Sequence, residues 1–292
     1  MKKIIFLGCE NSHADTFLRM LREDSACADI EVVGVYSDER EAAENLGKRY
    51  AVPVLSHYAD LVGQVDGVVI TARHGKKHYE FAKPYIQSGC PMFIDKPITT
   101  DASEAEEFMN ALKAANVTIS GGSCLIYDDN VQTLKAEHND AVNGKTVGGM
   151  VCAPVLAQSV YGGFYFYAQH LTEMVCEIFG RYPLSVQTFP KDDAYTVVFR
   201  YQDYDITGIF AESGSCYYSM RLTQGKVHGV ESIVDGNNPC FRREFDEWIR
   251  ILRGGEQGMS YEDFFAPVFV MDAIVRSIDS GKEEKITYHS NK

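Results

Sequence analysis

The sequence predicts an α/β fold, in which an N-terminal, doubly wound parallel sheet precedes an α+β domain with a large, open-faced and mostly antiparallel sheet. Over the first 121 residues, short apolar and β-branched runs alternate with helical patterns, as in strands buried on both faces. After about Gly122 the strand-like segments alternate apolar with polar residues, which is typical of a half-exposed antiparallel sheet. The chain has 292 residues, 45% of them hydrophobic, which suits two domains, placed here at residues 1–121 and 122–292.

The first domain is predicted from five strand-like runs and the helical patterns between them. The runs are KIIFLG, IEVVGVYS, DGVVITA, CPMFID and VTISGG, and helices are expected at Ala14–Glu23, Glu39–Tyr50, Lys76–Ser88 and Ala102–Ala115. In the parallel sheet that such a repeat forms, ligands bind beyond the carboxyl ends of the strands. The residues directly after each strand are therefore the first candidates for a binding site.

The second domain is predicted to combine two early helices with a sheet and two closing helices. Helices are expected at Asp128–His138 and Tyr165–Phe179, with the strand VGGMVCAPVLAQ between them. The later strand-like segments are LSVQTF, AYTVVFRY, DITGIFAE, CYYSMRL and KVHGVESIV, followed by helices at Arg242–Arg253 and Tyr261–Ser280. Their alternation predicts one buried and one solvated sheet face.

Composition excludes several classes of partner. The formal net charge of −13 repels nucleic acid and anionic membrane surfaces, and no apolar run approaches the ~20 residues of a membrane span. We therefore expect neither nucleic acid nor a membrane as a partner, and the cysteines indicate a cytoplasmic protein. The cysteines are scattered without a C-x-x-C pair, which is typical of reduced core cysteines and not of a metal site; they are Cys9, Cys27, Cys90, Cys124, Cys152, Cys176, Cys216 and Cys240.

The turn after the first strand, LGCENSHADTF, departs from a glycine-rich phosphate-binding turn. Gly8 can make the tight turn, but Glu10 and His13 stand where two further glycines would let the backbone approach a pyrophosphate and the helix pack closely. Asn11 and Ser12 supply polar side chains and a possible helix cap. The stretch alone fits an ordinary strand-to-helix turn as well as a cofactor turn that uses side chains.

Ser37 and Asp38 follow the second strand, where an acidic residue would bind the ribose hydroxyls of NAD. Asp38 either reaches that ribose or caps the following helix. Arg40 either meets the 2′-phosphate of NADP or remains a solvated helix residue. The sequence therefore leaves the choice between NAD and NADP open.

Two further strand ends carry charged residues. In FIDKPITTD, Lys96 stands between Asp95 and Pro97, and a lysine beside an acid in a cleft can hold a substrate hydroxyl and help to move its proton. The stretch VVITARHGKKHYE carries a basic cluster, which is either a rim that attracts an anionic ligand or a solvated helix start. Its members are Arg73, His74, Lys76, Lys77 and His78.

Several of these stretches are similar to one known family. GCPMFIDKPIT matches an apolar strand followed by Glu-Lys-Pro, here Asp95-Lys96-Pro97, and DGVVITARHGKKHYEFAKPYIQSG matches the preceding strand and helix, with His78 on the usual histidine. GGFYFYAQHLTEMVCEIFG matches a second-domain helix with a catalytic histidine, here His170, and the closing helices also fit. In this order and spacing, the whole chain resembles the glucose–fructose oxidoreductase/inositol dehydrogenase/MocA-like oxidoreductases.

The resemblance implies a Rossmann domain, NAD or NADP as cofactor, and hydride transfer to or from a sugar, polyol or related small hydroxy compound. Lys96 and His170 are the implied catalytic pair, which assists the proton transfer. Members commonly pair through the open sheet, so a homodimer or homotetramer is expected. The implied cofactor-binding residues are Gly8, Asn11, Ser12, His13, Ser37, Asp38, Thr71, Ala72, Arg73, His74, His78, Asp95, Lys96 and Pro97.

Departures from the family pattern cluster around the cofactor and the substrate hydroxyl. Phe166 stands where the family often has an aspartate four residues before the histidine, Ala168 replaces a glycine, and Arg73-His74 replaces a Thr-Pro pair. The nearby aromatic residues suit either stacking on a sugar ring or packing at a domain interface. The substrate candidates are Tyr161, Tyr165, Phe166, Tyr167 and Glu173, the last a longer acid than the family's.

These departures support alternatives to a dehydrogenase. Glu10, His13 and Phe166 favour a cofactor-free or non-catalytic relative that binds a small ligand in the same cleft. Chemistry without net redox, such as hydrolysis or elimination, is a further alternative, with a metal version suggested by the histidines. Because no third ligand accompanies His74 and His78, no metal site is predicted.

Overall fold

The structure is a computed structural model of the chain, which describes residues 1–141, 144–232 and 239–288. The chain divides into two compact units. Unit 1 contains Met1–Thr99, Ser103–Gly122 and Glu244–Tyr261, and unit 2 contains Thr100–Ala102, Ser123–Arg243 and Glu262–Lys292.

Unit 1 is built on a parallel sheet of five strands in the order β2-β1-β3-β4-β5. All residues of β3, β4 and β5 are buried, as expected where both faces of a parallel sheet are covered. The elements are β1 (Lys2–Leu7), α1 (Ser12–Glu23), a 3₁₀ turn (Ser25–Cys27), β2 (Ile30–Tyr36), α2 (Arg40–Tyr50), β3 (Gly67–Ile70), α3 (Lys76–Ile86), β4 (Met92–Asp95), α4 (Ala102–Ala114) and β5 (Ile119–Gly122).

Unit 2 is built on a seven-stranded sheet in the order β11-β10-β6-β9-β8-β7-β12, in which only the β6–β9 pair is parallel. Buried and partly exposed residues alternate along β9 and β10, so one face is more exposed than the other. The elements that follow β5 in the chain are a 3₁₀ turn (Cys124–Tyr127), α5 (Asp129–Asn139), β6 (Thr146–Val155), α6 (Tyr165–Phe179), β7 (Ser185–Pro190), β8 (Ala194–Arg200), β9 (Asp205–Glu212), β10 (Tyr217–Thr223), β11 (Val227–Ser232), α7 (Pro239–Leu252), α8 (Tyr261–Ser280) and β12 (Glu284–Lys285). The predicted fold class is confirmed.

One segment belongs to a different unit from the one expected. The predicted second domain included residues 244–261, but they pack in unit 1. Phe245 of α7 stacks on Phe17 of α1 with ring centroids 4.4 Å apart, and Trp248 is fully buried. Gly67 in β3 has no room for a side chain, because Leu252 and Trp248 approach within 3.0 Å of the position of a Cβ. These apolar side chains complete the core of the parallel sheet.

Several predicted bounds shift for local reasons. Helix α1 begins at Ser12 instead of Ala14, because Asn11 caps it. Helix α7 begins at Pro239 instead of Arg242, in keeping with the preference of proline for the first turn. Strand β6 ends at Val155, before the predicted end. The last two residues of the predicted strand KVHGVESIV lie outside the described residues.

Two expectations from composition concern the cysteines, predicted to be reduced core residues, and the lack of a membrane span. None of the eight cysteines forms a disulfide. Two of them are not core residues as predicted: Cys152 is half-buried in β6, and Cys216 is exposed just before β10. Within the described ranges, no helix has the length and apolar character needed to cross a membrane.

Candidate active site

Gly8 makes the tight turn at the carboxyl end of β1. Its φ is +89°, and a Cβ added there would lie 2.2 Å from the backbone nitrogen of Ala72. The turn is tied to both neighbouring strands, because the Gly8 N–H donates to the Tyr36 carbonyl at 2.8 Å and the Thr71 hydroxyl donates to the Gly8 carbonyl. Only glycine fits this conformation and this approach.

Glu10 lies in the turn after β1, and its side chain contacts residues that follow both neighbouring strands. The Ser37 hydroxyl, just after β2, donates to its Oε2 at 2.6 Å, and the Arg73 backbone N–H, just after β3, donates to its Oε1 at 2.8 Å. The Arg73 guanidinium also donates to the Glu10 carbonyl. Because β1 lies between β2 and β3, the carboxylate bridges the two strand ends that flank the turn.

Asn11 and Ser12 begin helix α1. The Asn11 side-chain oxygen accepts the His13 N–H at 2.7 Å, so Asn11 is the N-cap of the helix and Ser12 is its first residue. The Asn11 amide also donates to the Thr71 carbonyl at 2.7 Å. The polar residues of the turn therefore fix the start of the helix against the end of β3.

His13 and Asp95 form a buried pair between α1 and the end of β4. His13 Nδ1 lies 2.8 Å from Asp95 Oδ2, and Asp95 is fully buried. Burial alone would raise the pKa of Asp95, but the charges of His13 and Lys96 and the hydrogen bond from His13 outweigh it and lower the pKa to about 2. The carboxyl is thus ionised, and His13 is held where a third glycine would stand in a phosphate-binding turn.

Asp38 does not cap α2, so that part of its prediction is wrong. The N-cap is Glu39, without a side-chain hydrogen bond. Asp38 instead accepts hydrogen bonds from the Tyr36 hydroxyl and from Lys77 Nζ, both at 2.9 Å. Partial burial would raise the pKa of Asp38, but these two hydrogen bonds lower it. An ionised carboxylate therefore stays at the end of β2.

Two members of the basic cluster after β3, Lys77 and His78, are paired or buried. Lys77 is paired with Asp38 and, at 3.0 Å, with Glu80. His78 is fully buried, with its Nε2 2.8 Å from the Ala72 carbonyl, and burial lowers its pKa. Burial, Lys76 and Lys77 lower the pKa of His74, whose Nδ1 accepts the Lys76 N–H at 3.2 Å. Within the described residues, no group of three or more His, Cys, Asp or Glu side chains is suited to a metal.

Lys96 follows β4 and is 7% exposed. Its backbone N–H donates to Asp95 Oδ1 at 2.8 Å, and the Lys96–Pro97 peptide bond is cis. The two oxygens of Asp95 are thus shared between His13 and the backbone of Lys96. The predicted trio Asp95, Lys96 and Pro97 stands at the carboxyl edge of the parallel sheet, in the same unit as the turn.

His170 lies in the middle of α6, in unit 2, and is 5% exposed. Its Nδ1 is 2.7 Å from the hydroxyl of Ser123, which is fully buried and directly follows β5. The rings of Tyr167 and Tyr217 meet the imidazole edge-on, with centroids 5.7 Å and 5.9 Å away. A hydroxyl and two aromatic rings therefore hold the imidazole.

Glu173 lies one turn after His170 and is 3% exposed. Its Oε1 accepts the Ser123 N–H at 3.1 Å and a hydrogen bond from the Gln169 amide. Burial raises the pKa of Glu173 to about 7, more than these hydrogen bonds and the charge of Arg181 lower it. The carboxyl is therefore poised to change protonation near neutral pH.

This raised pKa predicts that Glu173→Gln stabilises the protein at high pH. A carboxyl with a folded pKa above its unfolded value contributes stability below pH 4.5, and this contribution is lost as the pH rises through 7. The shift corresponds to about 3 kcal/mol at pH 8. We expect urea unfolding to show Glu173→Gln more stable than wild type at pH 8, with the difference vanishing near pH 4.5.

The matched control is Glu177→Gln, one helical turn further along α6. Glu177 is also buried, but it is paired with Lys135 at 2.6 Å and with Arg181. Removing its charge should destabilise the protein at pH 8, because two cations lose their partner. If Glu173→Gln and wild type are equally stable at pH 8, the buried ionised carboxylate of Glu173 does not destabilise the protein, and the prediction is wrong.

The aromatic candidates fall into two groups. Tyr161, Phe166 and Tyr167 form a chain of ring contacts, with centroids 5.5 Å and 5.0 Å apart, that reaches His170 through Tyr167. Tyr165, the first residue of α6, lies outside this chain of ring contacts. Burial, and then the charges of Asp272 and Asp101, raise its pKa.

Two residues of this arrangement were missed by the sequence analysis. Ser123 directly follows β5, so the rule that singles out residues after strand ends could have identified it. Tyr217 contacts His170 from β10, and no pattern in the sequence marks it. The structure gathers the predicted residues of the turn and of β4 in unit 1, and those around His170 in unit 2.

The residues of unit 1 fit a nicotinamide dinucleotide. Gly8 gives the tight turn, and the side chains of Glu10, in that turn, and Asp38, at the end of β2, can accept hydrogen bonds from ribose hydroxyls. At the start of α1, the positive end of the helix dipole, the Ser12 hydroxyl and the His13 imidazole could meet a pyrophosphate.

Comparison with solved structures shows the same fold along the chain. Myo-inositol 2-dehydrogenase from Lactobacillus plantarum is 14% identical with a TM-score of 0.85, over 98% of this chain and 99% of that one. Scyllo-inositol dehydrogenase from Lactobacillus casei, solved with NAD(H) and scyllo-inositol, is 13% identical with a TM-score of 0.83 over the same shares. An oxidoreductase from Agrobacterium radiobacter, solved with NAD⁺, L-tartaric acid and magnesium, is 14% identical with a TM-score of 0.76 over 98% of each chain.

Comparison with sequence families covers the first unit. No curated protein sequence matches this chain. Residues 2–123 match the GFO/IDH/MocA family, described as an oxidoreductase family with an NAD-binding Rossmann fold. The matched range holds the Gly8 turn, the carboxylates at the end of β2 and the Asp95–Lys96–Pro97 stretch. Residues 2–123 are therefore similar to the NAD-binding Rossmann domain of the GFO/IDH/MocA oxidoreductase family.

Proposed function

We propose that the protein is an NAD(P)-dependent oxidoreductase that moves a hydride between the nicotinamide and a sugar, polyol or related small hydroxy compound. The observation that carries this proposal is the NAD-binding family match of residues 2–123, whose tight turn at Gly8 is retained. The inositol dehydrogenases that share the fold of the whole chain support a polyol-like substrate.

Proton transfer is assigned to two side chains. Oxidation of a carbinol releases a hydride, which the nicotinamide accepts when it is bound, and a proton, which a protein group must accept. Lys96 holds and polarises the hydroxyl, and His170 is the general base in oxidation and the general acid in reduction. The proposed substrate-contacting residues are Tyr161, Tyr165, Phe166, Tyr167 and Glu173.

Cofactor contacts are assigned to the carboxyl edge of the parallel sheet. Glu10, Ser37 and Asp38 hold the adenosine ribose, and Asn11, Ser12 and His13 meet the pyrophosphate. Arg40 does not support NADP, because its guanidinium is paired with Glu44 at 2.8 Å and with the Leu55 carbonyl at 3.0 Å. The remaining proposed contacts are Gly8, Thr71, Ala72, Arg73, His74, His78, Asp95, Lys96 and Pro97.

A calorimetric titration with both reduced nicotinamides tests this function. NADH is expected to bind saturably and more tightly than NADPH, because the carboxylates of Glu10 and Asp38 repel a 2′-phosphate. Glu10→Gln keeps the shape of the side chain and removes its charge. This variant should bind NADH about 10-fold more weakly, because a hydrogen bond to a charged group contributes ~1.5 kcal/mol. Its preference for NADH over NADPH should also be smaller than that of the wild type.

The same titration tests the cofactor-free alternative. The bridge that Glu10 makes from Ser37 to Arg73 is the observation that favours this alternative, since it occupies the edge of the sheet with protein groups. No heat of binding at millimolar NADH would overturn the proposed function. Tighter NADH binding by Glu10→Gln would show that the native turn excludes the cofactor.

The proposed protein is cytoplasmic and associates with copies of itself. The sheet of unit 2 carries exposed apolar side chains at Phe189, Leu222 and Val227, which supports association of two or four copies through this sheet. A cytoplasmic location agrees with eight cysteines that form no disulfide.

A further inference from the structure

The contact between Ser123 and His170 assigns a role to a residue outside the predicted site. Ser123 is fully buried and its Oγ lies 2.7 Å from His170 Nδ1. A proton that His170 exchanges with a substrate must then move at Nε2, because Nδ1 is engaged by the hydroxyl. The hydroxyl is therefore placed to decide which ring nitrogen carries the proton.

Ser123 is itself fixed by three hydrogen bonds. Its N–H donates to Glu173 Oε1 at 3.1 Å, and its Oγ accepts the Leu125 N–H at 3.3 Å, as the N-cap of the 3₁₀ turn Cys124–Tyr127. The third is the contact with His170. Since Glu173 and His170 lie three residues apart on α6, the serine bridges two points of one helical face, and its hydroxyl has little freedom to leave the imidazole.

A hydroxyl is a different partner from a carboxylate. The serine oxygen can accept a proton from Nδ1–H or donate its own proton to a bare Nδ1, whereas an aspartate can only accept and adds a negative charge that favours the imidazolium. Phe166 stands at the position where the resemblance implies such an aspartate. Tyr167 on α6 and Tyr217 on β10 are titratable side chains that contact the His170 ring, and Ser123 is bonded to it. Glu173, one turn further along α6, accepts the Ser123 N–H.

We propose that Ser123 is the positioning residue of His170: its oxygen accepts the Nδ1–H of the neutral imidazole and so leaves Nε2 as the basic nitrogen. This proposal rests on the proposed function for the use of that nitrogen, since a base must accept the carbinol proton while the hydride leaves for the nicotinamide. The other tautomer would place a proton on Nε2 and make the neutral ring unable to act as a base.

The test is the tautomer of His170, measured in the protein without nucleotide. The protein is labelled with ¹⁵N-histidine, the His170 signals are assigned with His170→Gln, and the ring nitrogen shifts are recorded above the titration range of histidine. Wild type is expected to carry the ring proton on Nδ1. Ser123→Thr, which keeps the hydroxyl, should retain this pattern, and Ser123→Ala should show the proton on Nε2 or a mixture of both tautomers.

Every outcome bears on the proposal. A proton on Nε2 in the wild type overturns it, even if none of the variants folds. An unchanged tautomer in a folded Ser123→Ala protein overturns it as well, because the hydroxyl then does not set the ring. The readout needs no cofactor, so absence of NADH binding would remove the proposed function while the tautomer result stands as measured.

Discussion

Gly8→Ala is expected to lower the free energy of unfolding by about 2–5 kcal/mol and to abolish NADH binding. A side chain at a φ of +89° is strained by ~1–2 kcal/mol. The new Cβ would also lie 2.2 Å from Ala72 N and 2.3 Å from Ala72 Cα, so backbone must move, at a further cost of ~1–3 kcal/mol. Urea unfolding measures the loss of stability, and calorimetry measures binding.

Gly63→Ala separates the two causes. Gly63 also has a positive φ, +73°, but a Cβ there would meet nothing within 4 Å. Its substitution should therefore cost only the backbone strain and leave NADH binding unchanged. If Gly8→Ala and Gly63→Ala unfold at the same urea concentration, the close approach of Gly8 to Ala72 is not a constraint on the turn.

Asp95→Asn is expected to destabilise the protein by about 2 kcal/mol at pH 7. The folded pKa of about 2 lies below the usual 3.8, so the ionised carboxylate contributes stability above pH 3.8, and this contribution is lost as the pH falls through 2. The amide keeps the shape but not the charge that faces His13. The difference between variant and wild type in urea unfolding should shrink as the pH is lowered from 5 to 2.

Asp38→Asn is the matched surface control. Asp38 is paired with Lys77 at 2.9 Å, but its side chain is 45% exposed, so solvent screens the pair. Its loss should change the free energy of unfolding by less than ~1 kcal/mol. A cost for Asp95→Asn no larger than that for Asp38→Asn would show that burial of the His13–Asp95 pair adds nothing.

The fold was predictable because short apolar runs in the sequence mark the positions of the strands. The runs KIIFLG and CPMFID are short and mostly apolar, as expected of strands buried on both faces, and both β1 and β4 lie where expected. The helix at Tyr165–Phe179 has its predicted bounds because Gly180 ends it. Local patterns of this kind depend only on near neighbours in the chain.

The details of the candidate site were less predictable, because they depend on partners distant in sequence. Glu10 was interpreted as a charge in the way of phosphate, but its partners Ser37 and Arg73 lie 27 and 63 residues away. His13 gains a buried carboxylate 82 residues on, at Asp95. Ser123 meets His170 over 47 residues. No periodicity or spacing within one segment encodes these contacts.

The packing of α7, from Glu244 onward, in the first unit has a consequence for folding during synthesis. Phe17 and Phe93 pack against Phe245, which leaves the ribosome only after most of the chain has been made. Until then, the nascent N-terminal sheet presents uncovered aromatic rings, the kind of surface that chaperones shield and that aggregates form on. A fragment ended at residue 122 would carry this exposed patch permanently, so the nucleotide-binding domain is not a separable module in this chain.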